Sequence, residues 1–106
     1  MIKNILLADS GTGHVQEMMK YLMEIDSIKG SHVTILHVVP PQSNSDEMTE
    51  RLTEAGNMLA KAVAGLKLPA DQVAPMLQQG DPKSVVCKVA DDLKVDLIVM
   101  GSRGLK

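Results

Sequence analysis

The sequence predicts an α/β domain in which a parallel sheet of four strands carries helices on both faces. Three features lead there: unbroken apolar runs of strand length, helix-periodic segments between them, and a proline inside the third run.

The first run lies in NILLA, Asn4–Ala8, and is closed by DSGTG. A strand wet on one face would alternate polar and apolar residues; a continuous run marks a strand buried on both. HVTILHVV, His32–Val39, is a second such run, β-branched and stopped by Pro40 and Pro41. QVAPMLQ, Gln72–Gln78, is weaker, and Pro75 places it at a sheet edge because proline has no N–H for a ladder. VDLIVM, Val95–Met100, is the fourth run and the most hydrophobic.

Between the first two runs, Val15, Met18, Met19, Leu22 and Met23 recur at spacings of three and four, the stripe of a helix from about Gly13 to Glu24. Met48, Leu52, Ala55, Leu59, Ala62, Val63 and Leu66 form a longer stripe, entered through SNSDE, where Asn44 and Glu47 have capping-box spacing. Asp81 is placed to cap a third helix, with Pro82 at its first position and Val85, Val86, Val89, Ala90 and Leu93 on its inner face. These spacings assign the methionines to the core and Cys87, among valines, to a buried and inert position.

With the third strand at an edge and right-handed crossovers, the strand order is 3-2-1-4. The connections then diverge between strands one and four, and ligands of open α/β sheets bind at the carboxyl ends of strands at such a point. ADSGTGH and GSRGLK meet there, and they are the glycine-rich loops of the chain.

The 106 residues form a single domain, 1–106. A net charge of −2 and a single aromatic residue, Tyr21, remove both the phosphate-neutralising patch and the stacking platform of nucleic-acid binders. The lone cysteine fits a reducing compartment, no apolar run approaches the ~20 residues of a membrane span, and the N-terminus lacks a secretory cleavage pattern. The reading is cytoplasmic, with neither membrane nor nucleic acid as partner.

In GSRG, glycines at 101 and 104 let backbone N–H groups turn toward an anion, Ser102 adds a hydroxyl and Arg103 a phosphate partner. The dinucleotide fingerprint is absent, since Gln16 stands where its third glycine belongs and prolines follow the second strand. So is the P-loop of NTPases. No G-x-S-x-G accompanies Asp9, Ser10 and His14, and a single acid at that strand end is too few for phosphoacceptor chemistry on Mg²⁺. His14 and His32 are read as solvated, and His37 as a hydrogen-bonded core residue. The charges Asp46, Glu47, Glu50, Arg51 and Glu54 are read as a wet helix surface.

NILLADSGTGH, HVTILHVVP and GDPKSVVCKVADDLKVDLIVMGSRG, in that order, resemble the universal stress protein family over the whole chain. The resemblance implies a flavodoxin-like topology. In the family's nucleotide-binding branch the fourth strand runs into G-2x-G-9x-G-[ST], whose first half is matched by Gly101, Ser102, Arg103 and Gly104. It further implies an adenine site at Asp9 or Ser10, Val39 and Met100, with Ala8 beside them. The family's D-G-S after strand one is replaced by ADSGTG, so that Ser10 falls where the aspartate is expected, with Gly11 and Thr12 as the G-S.

The implied function is a stress-response regulatory domain that binds ATP or a related adenine nucleotide, with or without Mg²⁺. The alternative is a dimerisation or interaction module without nucleotide. No residue qualifies as a general base, so ATP hydrolysis would be slow if it occurs. The resemblance also implies a fourth helix and a fifth strand, the family's usual dimer contact, beyond Gly104. On that expectation the chain is a C-terminally incomplete domain in a homo-oligomer, at least a dimer, with another chain covering strand four.

Overall fold

The computed structural model describes residues 3–8, 24, 30–66 and 68–100. The helix expected from about Gly13 and the loops carrying Asp9, Ser10 and Gly101–Gly104 lie outside the described residues. The elements are β1 (Asn4–Ala8), β2 (His32–Val39), α1 (Ser45–Leu66), β3 (Val73–Gln79), α2 (Pro82–Leu93) and β4 (Leu97–Met100), with a short 3₁₀ turn at Ala70–Gln72. The strands form one parallel sheet in the order β3-β2-β1-β4, as the sequence predicts.

Both faces of the sheet are packed. Ile5 and Leu7 of β1, Val33 and Ile35 of β2, Val73 and Val99 meet Leu59 and Ala62 of α1. On the other side Leu6 and Leu36 meet Val86 and Val89 of α2. Alternate residues of the same strand therefore feed two cores, which is why β1 and β2 read as continuous apolar runs. Pro75 lies on β3, the edge strand, opposite Ile35. No described helix is long and apolar enough to cross a membrane.

Helix boundaries follow their caps. Asn44 Oδ1 accepts from the Glu47 N–H at 2.8 Å, and the Met48 N–H bonds the Asn44 carbonyl at 3.1 Å. Asp46 and Glu47 in the first turn of α1 suit the positive end of its dipole. Asp81 Oδ2 accepts from the Ser84 N–H at 3.1 Å and its hydroxyl at 3.0 Å, with Pro82 opening α2.

Three expectations change. β3 begins at Val73, because the Gln72 N–H closes the preceding turn on the Pro69 carbonyl, and it runs on to Gln79 opposite Val39. β4 begins at Leu97, because the Val95 N–H is spent on the Ala90 carbonyl at the end of α2. Lys94 carries that ending in the left-handed conformation (φ 52°, ψ 51°), its N–H on Asp91 while Val95 bonds Ala90. This is a Schellman closure with lysine where glycine is usual.

The core is also more selective than expected. Cys87 is exposed, since it lies about 100° around the helix from Val86 and faces away from Val89. Met48, Met58 and Met76 are half-buried and Met100 is exposed, so no described methionine belongs to the sealed core. His32 is half-buried at the start of β2.

At the amino ends of the strands, Asp96 Oδ2 accepts from the Lys3 N–H at 2.8 Å and the Asn4 N–H at 3.0 Å, while the Asp96 N–H donates to the Asn4 carbonyl at 2.8 Å. The Asn4 bond first, then the Lys3 bond, holds this carboxyl below the ordinary aspartate value of 3.8. A depressed folded pKa supplies stability that is present above 3.8 and is lost as pH falls below it. In Asp96→Asn, the thermal midpoint at neutral pH should drop and its fall between pH 5 and pH 2 (about the range of the titration) should become shallower than in wild type. Lys94→Gly removes the left-handed penalty and should stabilise the chain by about 1 kcal/mol in urea unfolding.

Candidate functional site

From β1 the sheet grows outward through β2 to β3, and the chain then crosses back through α2 to place β4 on the other edge of β1. The carboxyl ends of these strands frame a cavity of about 810 Å³. Ala8, Val39 and Met100, the last residues of β1, β2 and β4, all line it. Ala8 pairs in register with Met100 on one side and Leu36 on the other, so β1 and β4 end level while β2 runs three residues further, to Val39.

Val39 is buried and Met100 is half exposed, so the floor is apolar with one adaptable side chain. His37 and Val38 of β2 and Pro40 just after it continue the lining. His37 is half-buried rather than sealed in the core, and it faces the cavity. Pro82 and Val86 of α2 close one flank. Their position is fixed by Gly80, whose N–H donates to the Val39 carbonyl at 3.0 Å and whose φ of 135° is open to glycine alone.

The other flank belongs to α1. Arg51, Glu54 and Met58 line the cavity from that helix, with Gln42 on the segment before it. Arg51 Nη1 lies 3.4 Å from Glu54 Oε1, and the Gln42 side-chain amide donates to the Pro40 carbonyl at 2.7 Å. Arg51 and Glu54 are more than half exposed, as expected of a wet helix surface, yet they also line the cavity, together with Met58, expected in the core, and Gln42. The available signal was spacing: residues 51, 54 and 58 fall at i, i+3 and i+7, beside the core stripe of Ala55, Leu59 and Ala62.

Of the residues expected to bind a ligand, the structure gathers Ala8, Val39 and Met100 around one cavity. Asp9, Ser10, Gly101, Ser102, Arg103 and Gly104 lie outside the described residues. Among the described residues, no three His, Cys, Asp or Glu side chains converge as metal ligands. Asp81, which precedes Pro82 on the α2 flank, is held below the ordinary carboxylate range by the Ser84 N–H and then by its hydroxyl.

The fold and cavity define a doubly wound α/β domain with a small-molecule-sized recess at its switch point. The universal stress protein family matches residues 1–106, and the chain belongs to that family. It is 30% identical to a universal stress protein from the QAH/OAS sulfhydrylase 3′ region of Thermus aquaticus, over 99% of this chain and 80% of that protein. Its fold is similar to that of a universal stress protein in complex with cAMP (TM-score 0.77, 19% identity, 99% of this chain and 80% of the other). It is also similar to an Arabidopsis thaliana family protein with AMP bound (TM-score 0.68, 20% identity, 97% and 78%).

Gly80→Ala tests how the α2 flank is set. A Cβ there would meet Val85 Cγ2 at 3.1 Å in a conformation that side chains rarely adopt. The variant should lose about 1–3 kcal/mol in denaturant unfolding.

Proposed function

We propose that this chain is a cytoplasmic regulatory domain that binds ATP or a related adenine nucleotide, with or without Mg²⁺, at the carboxyl end of its sheet. The observation that carries this reading is the cavity where Ala8, Val39 and Met100 meet. Its volume of about 810 Å³ falls within the range of small-molecule sites, roughly 300–1,000 Å³. An apolar floor suits a purine ring, and Val39 and Met100 would pack against it. Asp9 or Ser10 would hold the sugar or base, and Gly101, Ser102, Arg103 and Gly104 would hold phosphates through N–H, hydroxyl and guanidinium groups. The cAMP and AMP carried by two proteins of similar fold support the adenine preference.

Equilibrium binding of Mg-ATP to the whole chain tests this. Wild type should bind saturably. Met100→Glu, at a position 50% exposed where the fold tolerates charge, should weaken binding about tenfold or more by placing a carboxylate beside the ring and the phosphates. Gly104→Val should abolish binding without changing the far-ultraviolet circular dichroism.

A second reading, an interaction module that acts through self-association, is favoured by one feature. Ile98 and Met100 of β4 are 42% and 50% exposed, and alternation puts both on the same face. Concentration-dependent mass without ATP binding would select that reading, and a homo-oligomer that binds ATP would join the two.

A further inference from the structure

The α1 flank of the cavity carries opposite charges, Arg51 and Glu54, for which nucleotide binding as described above has no use. Resting on the adenine-nucleotide reading, we propose that the Glu54 carboxylate, oriented by Arg51, recognises the exocyclic amino group of the purine and so sets base preference.

The assignment depends on which end of the cavity takes the base. β2 and β4 lie on either side of β1, so their ends stand two strand spacings apart, about 10 Å, and α1 packs mainly over β2 and β3 rather than β4. Phosphate oxygens need N–H donors. Glycine-rich segments follow β1 and β4 in the sequence, whereas Pro40 and Pro41, which have no N–H, follow β2. Phosphates therefore belong toward β4 and the base toward β2, over Val39 and beside Met58.

Charge is compatible with this direction while Arg51 stays paired with Glu54, since a free Arg51 would attract a phosphate. Glu54 on the α1 flank would repel a phosphate, but a carboxylate only accepts hydrogen bonds and so complements an amino N–H. It would equally reject a carbonyl oxygen at that position of the ring. Arg51, 3.4 Å from Glu54 Oε1 and one turn before it on α1, limits the directions the carboxylate can take. Arg51 is thus a positioning residue and Glu54 the specificity-determining one.

The test compares ATP with inosine triphosphate, in which a carbonyl replaces the amino group, by calorimetric titration of the full chain. Wild type should prefer ATP by about tenfold, the effect of one partly solvated hydrogen bond to a charged group. Glu54→Ala should weaken ATP, leave inosine triphosphate unchanged or tighter, and bring the two affinities together. Arg51→Gln should narrow the same ratio by a smaller factor. Both side chains are more than half exposed, so unchanged thermal midpoints are expected and serve as the folding control. A Glu54→Ala chain that keeps the wild-type ratio overturns this inference alone. One that binds ATP more tightly also overturns it, by placing phosphates at this wall. Wild type that binds neither nucleotide overturns the nucleotide reading and this inference with it.

Discussion

Ile5, Leu6 and Leu7 have no exposed surface, because β1 is hydrogen-bonded on both edges and packed on both faces. Ile5 and Leu7 belong to the α1 core and Leu6 to the α2 core, so three consecutive residues tie the two layers together. β2 shares this position, with Ile35 and Leu36 in the two cores and β1 and β3 on its two edges. The carboxyl end of such a strand has nowhere to go but out of the sheet. The recess lies at this end, where β1 and β4 stop level at Ala8 and Met100 while β2 runs on to Val39.

The remaining walls are consequences of where the helices are anchored. α2 starts where Gly80 holds on to Val39, and so Pro82 and Val86 stand over the end of β2. α1 starts at the Asn44 cap, and its first three turns pass the same strand end before Leu59 and Ala62 reach the core. The helix thus has two tasks. Arg51, Glu54 and Met58 face the cavity, and Ala55, Leu59 and Ala62 on the neighbouring stripe seal the sheet.

The parts of this arrangement that were legible in the sequence are those where one residue decides the matter. Pro75 forces an edge, Asp81-Pro82 and Asn44 start helices, and unbroken apolar runs require burial on two faces. The misread parts depend on partners distant in sequence. The start of β4 depends on how α2 ends, and that ending uses Lys94 in a conformation the sequence gives no sign of. Cys87 sits among valines in sequence but not in space. For the site, strand ends were predictable from topology. The charged wall on α1 was not, because a solvated stripe and a cavity-facing stripe have the same spacing.

The bonds from Lys3 and Asn4 to Asp96 span 93 and 92 residues. β1 is therefore made before the other described strands, and one of its edges waits for β4. At roughly 5–20 residues per second, β1 would emerge from a ribosome several seconds before β4. Through that interval β2 and β3 can assemble on one side while an apolar edge of β1 stays bare on the other. The Lys3 and Asn4 N–H groups are left for water until Asp96 arrives. The newborn chain is thus exposed to wrong pairing at a strand whose Ile5, Leu6 and Leu7 are fully buried in the folded sheet, a hazard built into the strand order rather than into any residue of the mature surface.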